Sequence, residues 1–165
     1  MNLETIFKLQ KELDDQITIK RQKNFPEIKN SEIIRQKLIA LMVEVAEFIN
    51  EVQSFKYWKV NKKVNSDYVK EEFADILHFI VTFANEFELN PTIEPKIVHQ
   101  DINEQFISLF ISVSKMMQTL NKSTILEAFE LALGSFIKLG YTYGDLVNSY
   151  VAKNKTNHER IKENY

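Results

Sequence analysis

The sequence predicts an all-α fold, a bundle of about six helices in one domain spanning residues 1–165. Three observations predict it. Apolar residues recur at alternating steps of three and four, the period of an amphipathic helix. Gly and Pro number only three each, too few for the turns of an all-β chain. The 165 residues show no repeat of fixed period and no low-complexity tract, and a chain of that length suits a single core.

The first helix is expected over roughly residues 3–22, with Leu3, Ile6, Phe7, Leu9, Leu13 and Ile17 on its apolar side. Pro26 breaks the chain between Asn24 and Asn30. A second helix is expected from about Ser31 to Phe55, because Ile34, Leu38, Leu41, Val45, Phe48, Val52 and Phe55 keep the helical step throughout. The polar stretch Lys59 to Ser66 precedes a third, about Asp67 to Glu88. Two prolines between Asn90 and Pro95 mark a connection. The fourth helix is expected over about Val98 to Leu120. Thr124 and Glu127 have the spacing of a capping box and predict the start of a fifth, ending near Gly140. A sixth begins near Tyr143 and reaches Asn154 or beyond, into a polar and charged final segment.

Composition narrows the function. Hydrophobic residues make up 44% of the chain and include 12 Phe, so a largely aromatic core is expected. The net charge of −2 provides no global field for nucleic acid, and no nucleic-acid partner is expected. A polyanionic ligand must then be held by a local cluster or a metal. Cysteine is absent, which excludes disulfides and thiolate zinc sites. The N-terminal residues lack a basic-then-apolar targeting segment, and no apolar run approaches the roughly 20 residues of a membrane span. A soluble, cytoplasmic protein without a membrane partner is the expectation.

Two acidic pairs carry the chemistry. A helix advances about 100° per residue. Measured from Leu41, the apolar stripe of the second helix centres near about 10°, with Glu44 near 300° and Glu47 near 240°. Measured from Val69, the stripe of the third helix centres near about 15°, with Glu72 near 300° and Asp75 near 240°. Both pairs therefore hold the same offset from the buried face. If the two helices pack antiparallel, the four carboxylates converge. Their mutual repulsion, worsened by burial, calls for a hard cation. Oxygen-only donors suit magnesium, which also binds substrate phosphates and activates water. A lone Glu-x-x-Glu is usually a solvated face, and the repeated offset is what sets this chain apart.

Histidine offers a rival reading. Asp75 and His78 have the spacing of half a di-iron carboxylate site, which needs Glu-x-x-His on each of two helices. Only one such pair occurs. His78 falls near about 180° on the third helix, away from the acidic side, and is read as structural or surface. His99 and His158 lack partners at metal-ligand spacing. No Gly-rich phosphate loop or nucleophile elbow is present.

Taken together, Glu44-Val-Ala-Glu47, Phe55-Lys-Tyr-Trp58-Lys59 and Glu72-Phe-Ala-Asp75 resemble the dimeric, all-α dUTP diphosphatases, members of the all-α NTP pyrophosphohydrolase (MazG-like) superfamily. Gln10-Lys-Glu-Leu13-Asp14 and the closing block from Tyr150 to Tyr165, with Lys153, Asn154, Asn157 and Arg160, are similar to further elements of that family. The resemblance spans essentially the whole chain. It implies hydrolysis of dUTP to dUMP and pyrophosphate by a homodimer. It assigns Glu44, Glu47, Glu72 and Asp75 to magnesium and gives Glu47 the attacking water. It places Gln10 on the uracil or sugar and Trp58 in the base pocket.

Side-chain chemistry extends the carry-over. An amide at Asn154 or Asn157 offers both donor and acceptor to deoxyribose or uracil. Lys153 and Arg160 suit phosphates, as do Lys56 and Lys59 near the end of the second helix. Tyr165 is expected to close over the substrate. Two positions depart from the family. Asp14 stands where relatives often have Asn, and a carboxylate cannot donate to a uracil carbonyl. Asn164-Tyr165 replaces Gly-Tyr, and Asn tolerates left-handed backbone better than most residues. The dimer has its own hint: Phe106, Ile107, Leu109, Phe110, Ile111, Val113, Met116 and Met117 make the fourth helix apolar nearly all round, as for burial within the domain or against another subunit. The rival functions are a MazG-like enzyme acting on dCTP or modified nucleotides and a non-enzymatic helical binding module.

Overall fold

The structure is a computed structural model, and it describes residues 1–163. It has six helices in the order α1 (Glu4–Asn24), α2 (Asn30–Val52), α3 (Ser66–Glu86), α4 (Ile102–Gln118), α5 (Lys122–Lys138) and α6 (Tyr143–Lys162). No strand forms among the described residues. An isolated bridge between Asn2 and Thr92 ties the N-terminus to the α3–α4 connection. The Met1 ammonium reinforces it by donating to the Ile93 carbonyl at 2.8 Å.

Side chains that satisfy backbone N–H groups set most of the helix starts. Asn65 caps α3 by accepting from Asp67, and Asp101 caps α4 by accepting from Asn103 and Glu104. Thr142 and Asp145 form a capping box at α6. The box at α5 is Asn121 with Thr124, so Thr124 is its third helical residue and Glu127 takes no part. That corrects the expected Thr124–Glu127 box: the hydroxyl of Thr124 reaches back to Asn121, and the helix starts at Lys122.

Two other boundaries differ from expectation. The second helix stops at Val52 because Gln53 turns left-handed, with φ of 59°. Phe55 continues the apolar period but lies beyond the helix. The fourth helix starts at Ile102, not Val98. The segment before it is held in place by the Gln105 side chain, whose oxygen accepts from Val98 and His99 and whose amide donates to Lys96. That segment also presses on α5: a Cβ at Gly134 would stand 1.9 Å from the Lys96 carbonyl oxygen, so only glycine admits the approach.

Helix α3 is the central element and packs against α1, α2, α5 and α6. The core around it is aromatic, as expected. Phe73 stacks on Phe136 at 4.2 Å and meets Phe48 at 5.3 Å, and Phe48 meets Phe106 at 5.8 Å. All four rings are buried, each contributing about 1.5–3 kcal/mol. Helix α4 turns Phe106, Leu109, Val113 and Met116 inward, while Ile107 and Ile111 stay about half exposed, at 52% and 51%. The domain thus covers one face of α4 only. No helix among the described residues is long and apolar enough to cross a membrane.

Candidate active site

Three of the four acidic residues converge. Carboxylate oxygens of Glu44 on α2 and of Glu72 and Asp75 on α3 lie within 4.8 Å of one another, all partly buried. The shared offset of the two pairs explains this, since α2 and α3 pack side by side. Glu47, one turn along α2, is exposed and lies outside the trio. Its charge still bears on Glu44 and Glu72.

The electrostatics of the trio favour uptake of a cation or a proton. Burial, then the charges of Asp75, Glu47 and Glu72, push Glu44 up to about 7. Burial followed by Asp75 and Glu47 raises Glu72. Burial also raises Asp75, although Lys153 opposes it. Lys153 comes from α6 and is the cation already present. Its ammonium lies 2.6 Å from Asp75 and 3.0 Å from Glu71. Burial disfavours its charge, but hydrogen bonds to those two carboxylates outweigh burial and hold its pKa above the usual lysine value. Arg160, two turns further along α6, adds positive potential at Asp75. A groove of about 390 Å³ between α3 and α6 is lined by Asp67, Lys70, Glu71, Asp145 and Lys153 among others, and reaches the trio only through the Lys153 ammonium.

Next to the carboxylates lies a buried polar network between α1, α3 and α6. Gln10 is 2% exposed and uses every hydrogen-bonding position it has. Its oxygen accepts from Tyr150 at 2.8 Å and pairs with His78 Nδ1 at 2.7 Å. Its amide donates to Asp14 at 2.9 Å and to the Thr82 hydroxyl at 3.1 Å. Thr82 also lies 2.8 Å from the second oxygen of Asp14. Asp14, raised by burial against these hydrogen bonds, is therefore held as an acceptor of internal donors. His78 stacks at 4.7 Å on Tyr150, and burial lowers it to about 3, so the ring is neutral. The surface reading of His78 is thus corrected: the residue is buried, because α3 has neighbours on several sides and not on a single stripe. His78 Nε2 is buried without a hydrogen-bond partner among the described residues, whereas the Asn154 amide lies close enough to Tyr150 to act on its hydroxyl.

The remaining expected residues are scattered more widely. Trp58 is 60% exposed in the α2–α3 loop, edge-on to Tyr57 at 5.2 Å and Phe55 at 6.0 Å. Lys59 donates to Gln53, and Lys56 to the Asn50 carbonyl. Asn157 is half-buried and Arg160 exposed on α6. Tyr165 and its neighbour Asn164 lie outside the described residues. Sequence reasoning did not anticipate Glu71, Thr82 or Tyr150 at the site. Glu71 had a signal, as an acid one residue from Glu72, and Tyr150 opened the closing block without a role of its own, but nothing in the sequence marked Thr82.

Comparison with known proteins agrees with this picture. A model of the protein family described as dUTPase matches residues 2–165. No curated protein matches the chain.

Proposed function

The chain belongs to the dUTPase family, and from that premise we propose that it hydrolyses dUTP to dUMP and pyrophosphate with magnesium held by Glu44, Glu47, Glu72 and Asp75. The observation that carries the metal is the trio of carboxylates within 4.8 Å, each raised in proton affinity chiefly by burial. The donor set is all oxygen, which fits a hard divalent cation. Bound there, magnesium would polarise a phosphoryl oxygen and lower the pKa of a water.

The chain's own residues supply the rest. Glu47, exposed at the edge of the trio, is suited to take the proton of the attacking water. Lys153 gives up its contacts with Asp75 and Glu71 to hold phosphate oxygens, and Arg160 holds others through its forked donors. Asn154 and Asn157 face the sugar or base from α6. Trp58 and Lys59 close on the nucleotide from the α2–α3 loop, and Tyr165 covers it. Asp14 borders the nucleoside end. A cytoplasmic homodimer is part of this reading, with the uncovered Ile107 and Ile111 face of α4 against a second copy.

Calorimetric titration with magnesium tests the metal site. Binding that is present in the wild-type protein and lost in Glu72→Gln supports it. Equal heats in both, or none in either, overturn it.

A further inference from the structure

Lys153 has two carboxylate anchors, and they belong to different features. Its ammonium lies 2.6 Å from Asp75, a member of the carboxylate trio. It lies 3.0 Å from Glu71, which lines the groove between α3 and α6 and stands outside the trio. Glu71 and Asp75 are four residues apart on α3, so they share one helix face. Like charges at that spacing repel, and Glu71 is among the groups that push Asp75 up. An ammonium between the two converts that repulsion into attraction. Lys153 is placed there from α6, with its side chain largely buried.

Asp75 is the anchor that a cation in the trio would claim. A lysine with Asp75 as its sole partner would compete with that cation for the carboxylate. Having lost, it would be repelled by the new charge and, on a flexible four-carbon stem, would leave for solvent. Glu71 offers another course. It is half-exposed and one turn away on the groove side, so its carboxylate is not drawn into the trio.

We propose that Glu71 is a positioning residue, which keeps the Lys153 ammonium at the edge of the trio once Asp75 is engaged by a cation. The lysine then stays beside the carboxylates until phosphate oxygens take it from Glu71. This inference rests on the magnesium-dependent dUTPase reading for the identity of the cation and the phosphates. That Glu71 alone can hold Lys153 does not depend on it.

Nitrogen NMR of lysine-labelled protein tests the proposal, with the Lys153 ammonium assigned by its absence in Lys153→Met. An ammonium held in an ion pair exchanges its protons slowly with solvent and gives a resolved signal, whereas a free one does not. Magnesium-saturated wild-type protein should keep the Lys153 signal, and magnesium-saturated Glu71→Ala should lose it. Without magnesium, Glu71→Ala should retain the signal through Asp75. A second pair needs no metal. Asp75→Ala should keep the signal through Glu71, and Asp75→Ala/Glu71→Ala should lose it. Alanine favours the helix, and both substitutions relieve a crowd of like charges, so these variants should fold. Loss of the signal in magnesium-saturated wild-type protein or in Asp75→Ala would overturn the proposal. So would its survival in magnesium-saturated Glu71→Ala or in the double variant. If magnesium does not bind, the metal reading fails by itself, and the metal-free pair still decides for or against Glu71.

Discussion

The Lys153 ammonium lies 2.6 Å from Asp75 Oδ2, so α6 delivers a cation into the acidic cluster that α2 and α3 build. Both side chains are largely buried, at 13% and 15% exposure. Lysine there offsets the repulsion among the carboxylates in the absence of a metal. Lys153→Met should therefore destabilise the metal-free protein by about 1–3 kcal/mol. Magnesium should restore most of that loss, because it binds the folded state alone. Thermal melts with and without magnesium check both halves.

The raised carboxylates imply a pH dependence of unusual sign. A carboxyl whose pKa is higher folded than unfolded binds its proton more tightly in the native state, so stability falls as pH rises between the two values. Glu44 titrates near 7, and Glu72 and Asp75 are raised as well. The metal-free protein is expected to lose stability as pH rises from the ordinary carboxylate range toward 7. Magnesium should flatten this trend, and its affinity should rise over the same interval as protons leave. Denaturant melts across pH report the first effect and calorimetry the second.

Glu44 and Glu47 should separate metal binding from turnover. Glu44→Gln removes a half-buried charge from a crowded cluster, so the metal-free variant should be at least as stable as the wild type and bind magnesium more weakly. Glu47 is exposed, so Glu47→Gln should change stability by less than about 0.5 kcal/mol. Turnover should nevertheless fall by about 10²-fold or more through loss of the proton acceptor. Melts, titrations and steady-state rates on the two variants distinguish these outcomes.

Trp58 presents a different balance. Its ring is mostly exposed and meets the loop rings of Tyr57 and Phe55 edge-on, so Trp58→Ala should cost little stability. If the ring closes on the base, the variant should raise KM for dUTP with a smaller effect on kcat. An unchanged KM would make Trp58 a loop residue and nothing more.

The helices were legible because an apolar stripe repeats wherever one face is buried, and the acidic pairs were legible because they share one offset from that stripe. The exact ends were not. The apolar period runs on through Phe55 although the backbone leaves the helix at Gln53, since side-chain pattern does not encode a left-handed residue. The α5 cap depends on which residue has extended backbone, and that residue is Asn121. Of the two readings of His78, structural or surface, the structural one holds, and its burial was not legible for a further reason. A helical wheel assumes one buried face, whereas α3 is surrounded, so a residue far from the main stripe still reaches α1 and α6. The network of Gln10, Thr82 and Tyr150 spans 140 residues of sequence, and only the packing of three helices brings it together.

Product analysis on a panel of deoxynucleotides, with and without magnesium, tests the account most directly. The account expects dUMP and pyrophosphate from dUTP, in preference to dCTP and dTTP, only when magnesium is present. Release of inorganic phosphate alone, a preference for dCTP, or equal rates after removal of magnesium by a chelator would contradict it.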